Sequence, residues 1–157
     1  MKNLLLSFTS ILLLFSCHVP QDKENHCEII IVPMPLKVEL PDGTFQMTEK
    51  TSIKADHSLA LKAEQLRSYL YPASGFQLPV NKRIAGGNII ELKLDDELSS
   101  AGEKSYRLNI TYDKILITAY SLKGILWGIQ TLRQLFPRKI LREAEVGGIE
   151  WSVPCIN

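Results

Sequence analysis

The sequence predicts an α+β domain: a mixed or antiparallel sheet with two helices packed on one face, preceded by a signal peptide. Three observations predict it. Short runs rich in β-branched residues recur between turn residues. Two segments carry apolar residues at helical spacing, and two of the strand-like runs are joined by only two residues, which forces them to be antiparallel neighbours. At 157 residues, 45% hydrophobic and 22% charged, the chain has the size and composition of one globular domain.

The first segment stands apart from the fold. Residues 1–17, "MKNLLLSFTSILLLFSC", place Lys2 before an uncharged apolar core from Leu4 to Phe15, followed by Ser16 and Cys17. This is the layout of a secretory leader, and it is short for a membrane span, which needs roughly 20 apolar residues. The ending "LFSC" resembles the lipobox of bacterial lipoproteins, in which the cysteine becomes the lipidated first residue. That resemblance makes Cys17 the expected lipidation site and a bacterial, outer, membrane the expected location. Phe15 is bulkier than the pattern usually carries, so plain secretion to the periplasm or medium stays open as the alternative. Residues 18–27 are polar and aperiodic, as a tether should be.

The remaining elements follow in order. Residues 28–32, "EIIIV", read as a short strand ended by Pro33 and Pro35. "GTFQMT" (43–48) and "TSIKA" (51–55) alternate with period two after a Pro-Asp-Gly turn. Residues 58–70 set Leu59, Ala63, Leu66 and Leu70 on one face, with Ser58 as expected N-cap and "PASG" as the stop. Strands are expected at 76–80, 88–94, 105–111 and 114–120, the last two joined through Tyr112 and Asp113. A second helix, 121–136, aligns Ile125, Ile129, Leu132 and Phe136 and stops at Pro137.

That helix carries Gly124 and Gly128, each costing about 1 kcal/mol relative to Ala. Four residues apart, they stack on one side, and the expectation is that a neighbouring element approaches the bare backbone closely. A phosphate cradle is not indicated, because it needs a glycine-rich loop before the helix rather than glycines inside it. Lys123, Gln130, Arg133 and Gln134 exclude a membrane dimer motif.

Charge and metal chemistry narrow the classes further. Eighteen Lys plus Arg against 17 Asp plus Glu give a net charge of +1, which leaves no electrostatic footprint for nucleic acid. His18, His26 and His57 lack ligand spacing, so no metal site is expected. No HExxH occurs, which leaves a zinc-peptidase reading without its ligands. Cys27 and Cys155 are weak grounds for a disulfide, and Cys155 reads as a small packed residue.

Taken together, "IIIVPMPLKVELPDGTFQMTEKTSIKA", "SYRLNITYDKILITAYSLKGILWGIQTLRQLF" and "WSVPCIN" resemble the N-terminal, non-catalytic domain of bacterial exo-acting β-N-acetylhexosaminidases, the family 20 glycoside hydrolases. The matching features are the Pro-x-Pro after the opening strand, the Gly-x-Phe turn, the Tyr-Arg-Leu strand and the Gly-x-x-x-Gly-Ile-Gln-Thr-Leu-Arg-Gln-Leu helix. After the leader at 1–17 and the tether at 18–27, the resemblance implies the accessory domain at 28–151 and, at 152–157, the start of a (β/α)8 catalytic barrel.

In the family that barrel carries the chemistry. An Asp-Glu pair works by substrate assistance: the Glu is general acid and the Asp orients the substrate's own 2-acetamido group as nucleophile. An Arg near the first barrel strand grips the terminal sugar. The implied partners are therefore the barrel, N-acetylhexosamine-containing glycans held by it, and a membrane through the lipid anchor; no cofactor is implied. None of the barrel's positions falls within residues 1–157, so the chain by itself is expected to be inactive. Asp96-Glu97 repeats the dipeptide order, but it sits in an acidic stretch before the hairpin and reads as a solvated loop. Trp127 and Trp151 are expected to pack or to meet the barrel, with Trp151 in an exposed apolar patch. The other reading is an independent surface module that binds carbohydrate or a partner without catalysis.

Overall fold

The computed structural model describes residues 31–32 and 34–157. The leader with Cys17, the tether with Cys27, His18 and His26, and the strand expected at 28–32, apart from Ile31 and Val32, lie outside the described residues. Ile31 and Val32 themselves are not in a strand.

In chain order the elements are β1 (Thr44–Gln46), β2 (Ser52–Ala55), α1 (Ala60–Ser74), β3 (Ile89–Leu94), β4 (Tyr106–Ile110), β5 (Lys114–Ala119), α2 (Leu122–Leu135) and β6 (Ser152–Pro154). Short 3-10 turns stand at His57–Leu59, Asp96–Ala101 and Arg138–Leu141. A four-stranded sheet runs β2-β3-β5-β4, with β2, β3 and β5 parallel and β4 antiparallel to β5. The antiparallel pair β1-β6 joins it through a bridge between Ile110 and Ile156. The fold is thus α+β with a mixed sheet.

Alternation along the strands decides what each sheet face meets. Ile53, Ala55, Ile90, Leu92, Ile115, Ile117 and Ala119 point to one face and are buried. There α2 lies across β4 and β5, and α1 packs on β2 and on α2. Both helices therefore cover the same face. The hairpin forms as expected, closed by Thr111 N–H donating to the Lys114 carbonyl at 2.8 Å.

The glycine expectation is met in atomic detail. A Cβ on Gly128 would collide with Ile117 Cγ2 and press on the Tyr106 ring; one on Gly124 would meet the Ser105 carbonyl oxygen and lie 2.7 Å from Ala119 Cβ. The helix thus rests directly on β5 and on the start of β4. Ser121 caps it, accepting from Lys123 N–H at 3.1 Å and Gly124 N–H at 3.2 Å. Tyr106 Oη and buried Thr131 Oγ1, 2.6 Å apart, tie β4 to the helix.

Four expectations are corrected. Ser58 is not the N-cap of α1: a 3-10 turn precedes the helix, and Leu59 occupies the cap position without a side-chain bond. The helix does not end at Leu70, although it does close within Pro72–Gly75 as expected. It continues to Ser74, because Ala73 and Ser74 are buried and Gly75, at φ 71, makes the left-handed terminus with its N–H on the Tyr71 carbonyl. Residues 76–80 form no strand, only a single bridge from Val80 to Ile53: Leu78 sits at φ 41 and Pro79 has no N–H to give. Trp151 is not exposed but 2% accessible, held in the core by Met47 N–H on its carbonyl at 2.8 Å.

Residues 152–157 pair inside this domain. Phe45 faces Val153 in β1-β6, both buried, and Asn157 exchanges backbone hydrogen bonds with Glu39 at 2.9 and 3.0 Å. Cys155 is a buried free thiol.

Candidate docking surface

The acidic dipeptide comes first, because its order invites a catalytic reading. Asp96 and Glu97 open the 3-10 turn after β3, and both are exposed. Asp95 Oδ1 accepts from Glu97 N–H at 3.1 Å, which caps the turn. Neither side chain lies in an enclosed site where a substrate could be held against it. Their role is that of a solvated turn.

The two faces of the sheet differ sharply in charge. On the uncovered face, Lys54, Glu91 and Lys114 stand on three adjacent strands, with Lys54 Nζ 2.9 Å from Glu91 Oε1 and Lys114 Nζ ion-paired to Glu91 Oε2. Partial burial pushes the Glu91 carboxyl up, but hydrogen bonds and charge from Lys114 and Lys54 outweigh it and leave it below its ordinary value. Lys93 and Arg107 add exposed cations on the same face. Such a surface is well solvated as it stands.

The outer side of the helical layer is different. Leu61 is 84% exposed and Trp127 39%, with Tyr71 and Leu122 also open. Leu61 lies opposite the buried stripe of α1, formed by Ala63, Leu66 and Leu70, and Tyr71 lies on that helix's flank. Between the helices runs a polar seam. Gln65 Nε2 donates to Tyr69 Oη at 2.8 Å, and the Arg133 guanidinium lies 4.1 Å over the Tyr69 ring, a cation–π contact between α2 and α1. Arg133 Nη1 donates to Gln130 Oε1 at 3.0 Å. Two open depressions flank the layer, one lined by Glu64, Arg67, Ser68, Tyr71 and Gln77, the other by the loop from Lys139 to Val146.

Of the residues singled out in the sequence, the structure puts Trp127 on this surface and Trp151 in the core, and Cys17 lies outside the described residues. Sequence reasoning passed over Leu61, Tyr71 and Arg133. A signal was available for Leu61, an apolar residue off the buried stripe of its helix; none distinguished Arg133, whose position depends on a partner helix far away in the chain.

A mixed sheet covered on one side by two helices, with exposed apolar groups on the outside of those helices, defines a two-layer α+β domain. The profile of glycosyl hydrolase family 20, domain 2, matches residues 28–157, and the chain belongs to that family as its N-terminal, non-catalytic domain. Among its relatives, the beta-N-acetylhexosaminidase of Cellulomonas fimi is 29% identical over 111 residues, covering 68% of this chain and 22% of that protein. The beta-hexosaminidase of Porphyromonas gingivalis is 28% identical over 120 residues, covering 75% and 15%. The structure of the family 20 beta-N-acetylhexosaminidase from Streptomyces coelicolor is matched at a TM-score of 0.67 and 30% identity, covering 77% of this chain and 24% of that one. The N-acetyl-beta-hexosaminidase of Streptomyces plicatus gives 0.67 and 29%, covering 80% and 25%. The chain thus spans a quarter or less of the length of these relatives.

Proposed function

We propose that this domain serves an exo-acting β-N-acetylhexosaminidase, which removes terminal N-acetylhexosamine from glycans, and that it acts there as the platform on which a (β/α)8 catalytic barrel rests. The observation that carries the reading is the family membership of a chain that matches only about a quarter or less of the length of relatives named for that activity. The outer side of α1 and α2 is the face for the barrel, because Leu61, Tyr71, Leu122 and Trp127 are open there whereas the opposite sheet face is charged. The domain's contribution to catalysis is indirect: it supplies area and rigidity, and the barrel supplies the acid and the acetamido-orienting carboxylate.

The test is an assay of the purified full chain on an aryl N-acetyl-β-glucosaminide, alone and mixed with the catalytic part of the Streptomyces coelicolor protein. No turnover by the chain alone, with stabilisation of the added barrel, is the expected result. Turnover by the chain alone that Asp96→Asn and Glu97→Gln both abolish would overturn the accessory role.

We also propose that Cys17 carries a lipid that holds the domain on a bacterial membrane. The support is the uncharged apolar run ending at that cysteine. Several acyl chains anchor stably where one alone binds marginally, so Cys17→Ala should release the protein from the membrane fraction of a Gram-negative host. Complete retention of Cys17→Ala on membranes would sink the assignment.

A further inference from the structure

Residues 36–40, "LKVEL", are complementary to themselves when reversed. Laid antiparallel on a second copy about Val38, the stretch sets Leu36 opposite the second copy's Leu40 and Lys37 opposite its Glu39, and the same holds in the other direction. The structure leaves this stretch at an open edge. Glu39 N–H donates to the Asn157 carbonyl at 2.9 Å and its carbonyl accepts from Asn157 N–H at 3.0 Å, the exchange of a hydrogen-bonded antiparallel pair. Through the bridge between Ile110 and Ile156, that pair carries the mixed sheet outward to Glu39.

Neighbouring residues of an extended chain turn their backbone groups to opposite edges, so Val38 and Leu40 aim theirs away from Asn157. Among the described residues, no backbone hydrogen bond reaches Leu36, Val38 or Leu40, and all three side chains are exposed. Pro35 and Pro41 fall at odd positions on either side and so remove no N–H from the even ones. Natural sheet edges are ordinarily blunted by proline, by charge or by a covering element. Charge is present here, but in a form that attracts its own copy. Lys37 Nζ lies 2.7 Å from Glu39 Oε1, both exposed, so the two alternate in sign along one side of the stretch.

That alternation also selects a register. A slip of two residues in one direction puts Lys37 opposite Lys37, and in the other direction Glu39 opposite Glu39; like charges directly opposite are destabilising. Only pairing about Val38 matches every charge with its opposite. We propose that residues 36–40 form a two-fold symmetric contact between two copies of this chain, their open edges pairing antiparallel about Val38 so that the mixed sheet runs from one copy into the next. Leu36, Val38 and Leu40 give and accept the backbone bonds and cover one another on one side, while Lys37 and Glu39 alternate with their opposites on the other. The contact is short and belongs to the weak, concentration-dependent class. It uses none of the residues assigned to the barrel, so it stands or falls apart from that reading.

Charge exchange tests it, read by sedimentation equilibrium of the purified full chain. The wild type should pass from monomer to dimer as its concentration rises. Lys37→Glu or Glu39→Lys alone sets like charges opposite each other and should weaken dimerisation by about tenfold or more. Mixed in equal amounts, the two variants complement each other and should recover a dimer of wild-type strength, and the double exchange Lys37→Glu with Glu39→Lys should keep it. A wild type that stays monomeric would overturn the contact. Single variants that dimerise as the wild type does would overturn it too, placing the association elsewhere on the chain, and so would a mixture or a double exchange that fails to recover the dimer.

Discussion

The two faces of the four-stranded sheet are built from alternate residues of the same strands, yet they are held by opposite means. On the helical face, β5 contributes Ile115, Ile117 and Ala119, and α2 comes down on them through Gly128 and Gly124 so closely that a single added carbon would collide. On the other face, the same stretch of sheet is held by Glu91 between two lysines, exchanging contacts with water at its margins. Packed interiors tolerate little change in volume, whereas partly solvated ion pairs tolerate rearrangement. The difference teaches that specificity in this domain is concentrated in shape on one side, and that the other side is free to vary in sequence.

Substitutions can break that contrast, beginning with the helical face. Gly128→Leu improves helix propensity, yet it must displace Ile117 and the Tyr106 ring. Urea denaturation should show a loss of about 1–3 kcal/mol from overpacking; a gain would mean the helix stands off the sheet. The cap at the start of the same helix comes next. Ser121→Ala removes the acceptor for two backbone N–H groups and should cost about 1 kcal/mol, measured the same way.

The charged face should respond less, and in a pH-dependent manner. Glu91 has its folded pKa lowered, so its stabilisation is present above the unfolded value of about 4.3 and is lost as the pH falls through the folded value. Glu91→Gln should therefore lower stability by about 0.5–1 kcal/mol at pH 7, and the gap from the wild type should close in acid. A gap that widened on acidification would invert the assignment. Smallest of all, Asp96→Asn and Glu97→Gln, in an exposed turn, should each stay within about 0.5 kcal/mol of the wild type in the same melts.

The parts of the fold legible in the sequence were those fixed by neighbours along the chain. The Tyr112-Asp113 connection compels a hairpin, and the four-residue spacing of Gly124 and Gly128 compels a bare stripe whatever lies opposite. What escaped depended on distant partners. Pro72 would end most helices, but burial of Ala73 and Ser74 and the left-handed Gly75 carry α1 past it. Residues 76–80 have strand-like composition, yet Leu78 drops its side chain into the core from a left-handed backbone, and pairing shrinks to Val80. Trp151 could be assigned to a surface only while its pairing with Met47, about a hundred residues earlier, was unknown. The docking surface was half legible. Trp127 stood out as an aromatic on a polar flank, whereas the Arg133–Tyr69 contact needs two helices brought together by the sheet.

The pairing of β6 with β1 also governs the order of folding. Thr44 and Pro154 must be joined across some 110 residues, and closing so long a loop costs about 3 kcal/mol more entropy than closing the Tyr112-Asp113 hairpin. The hairpin and α2 can form as local units while the chain is being made. Phe45 and Trp151, by contrast, are not buried together until residue 154 has emerged, so the cooperative step waits for the end of this domain. A ribosome-bound chain halted before β6 should accordingly remain protease-sensitive throughout, including in its earliest strand.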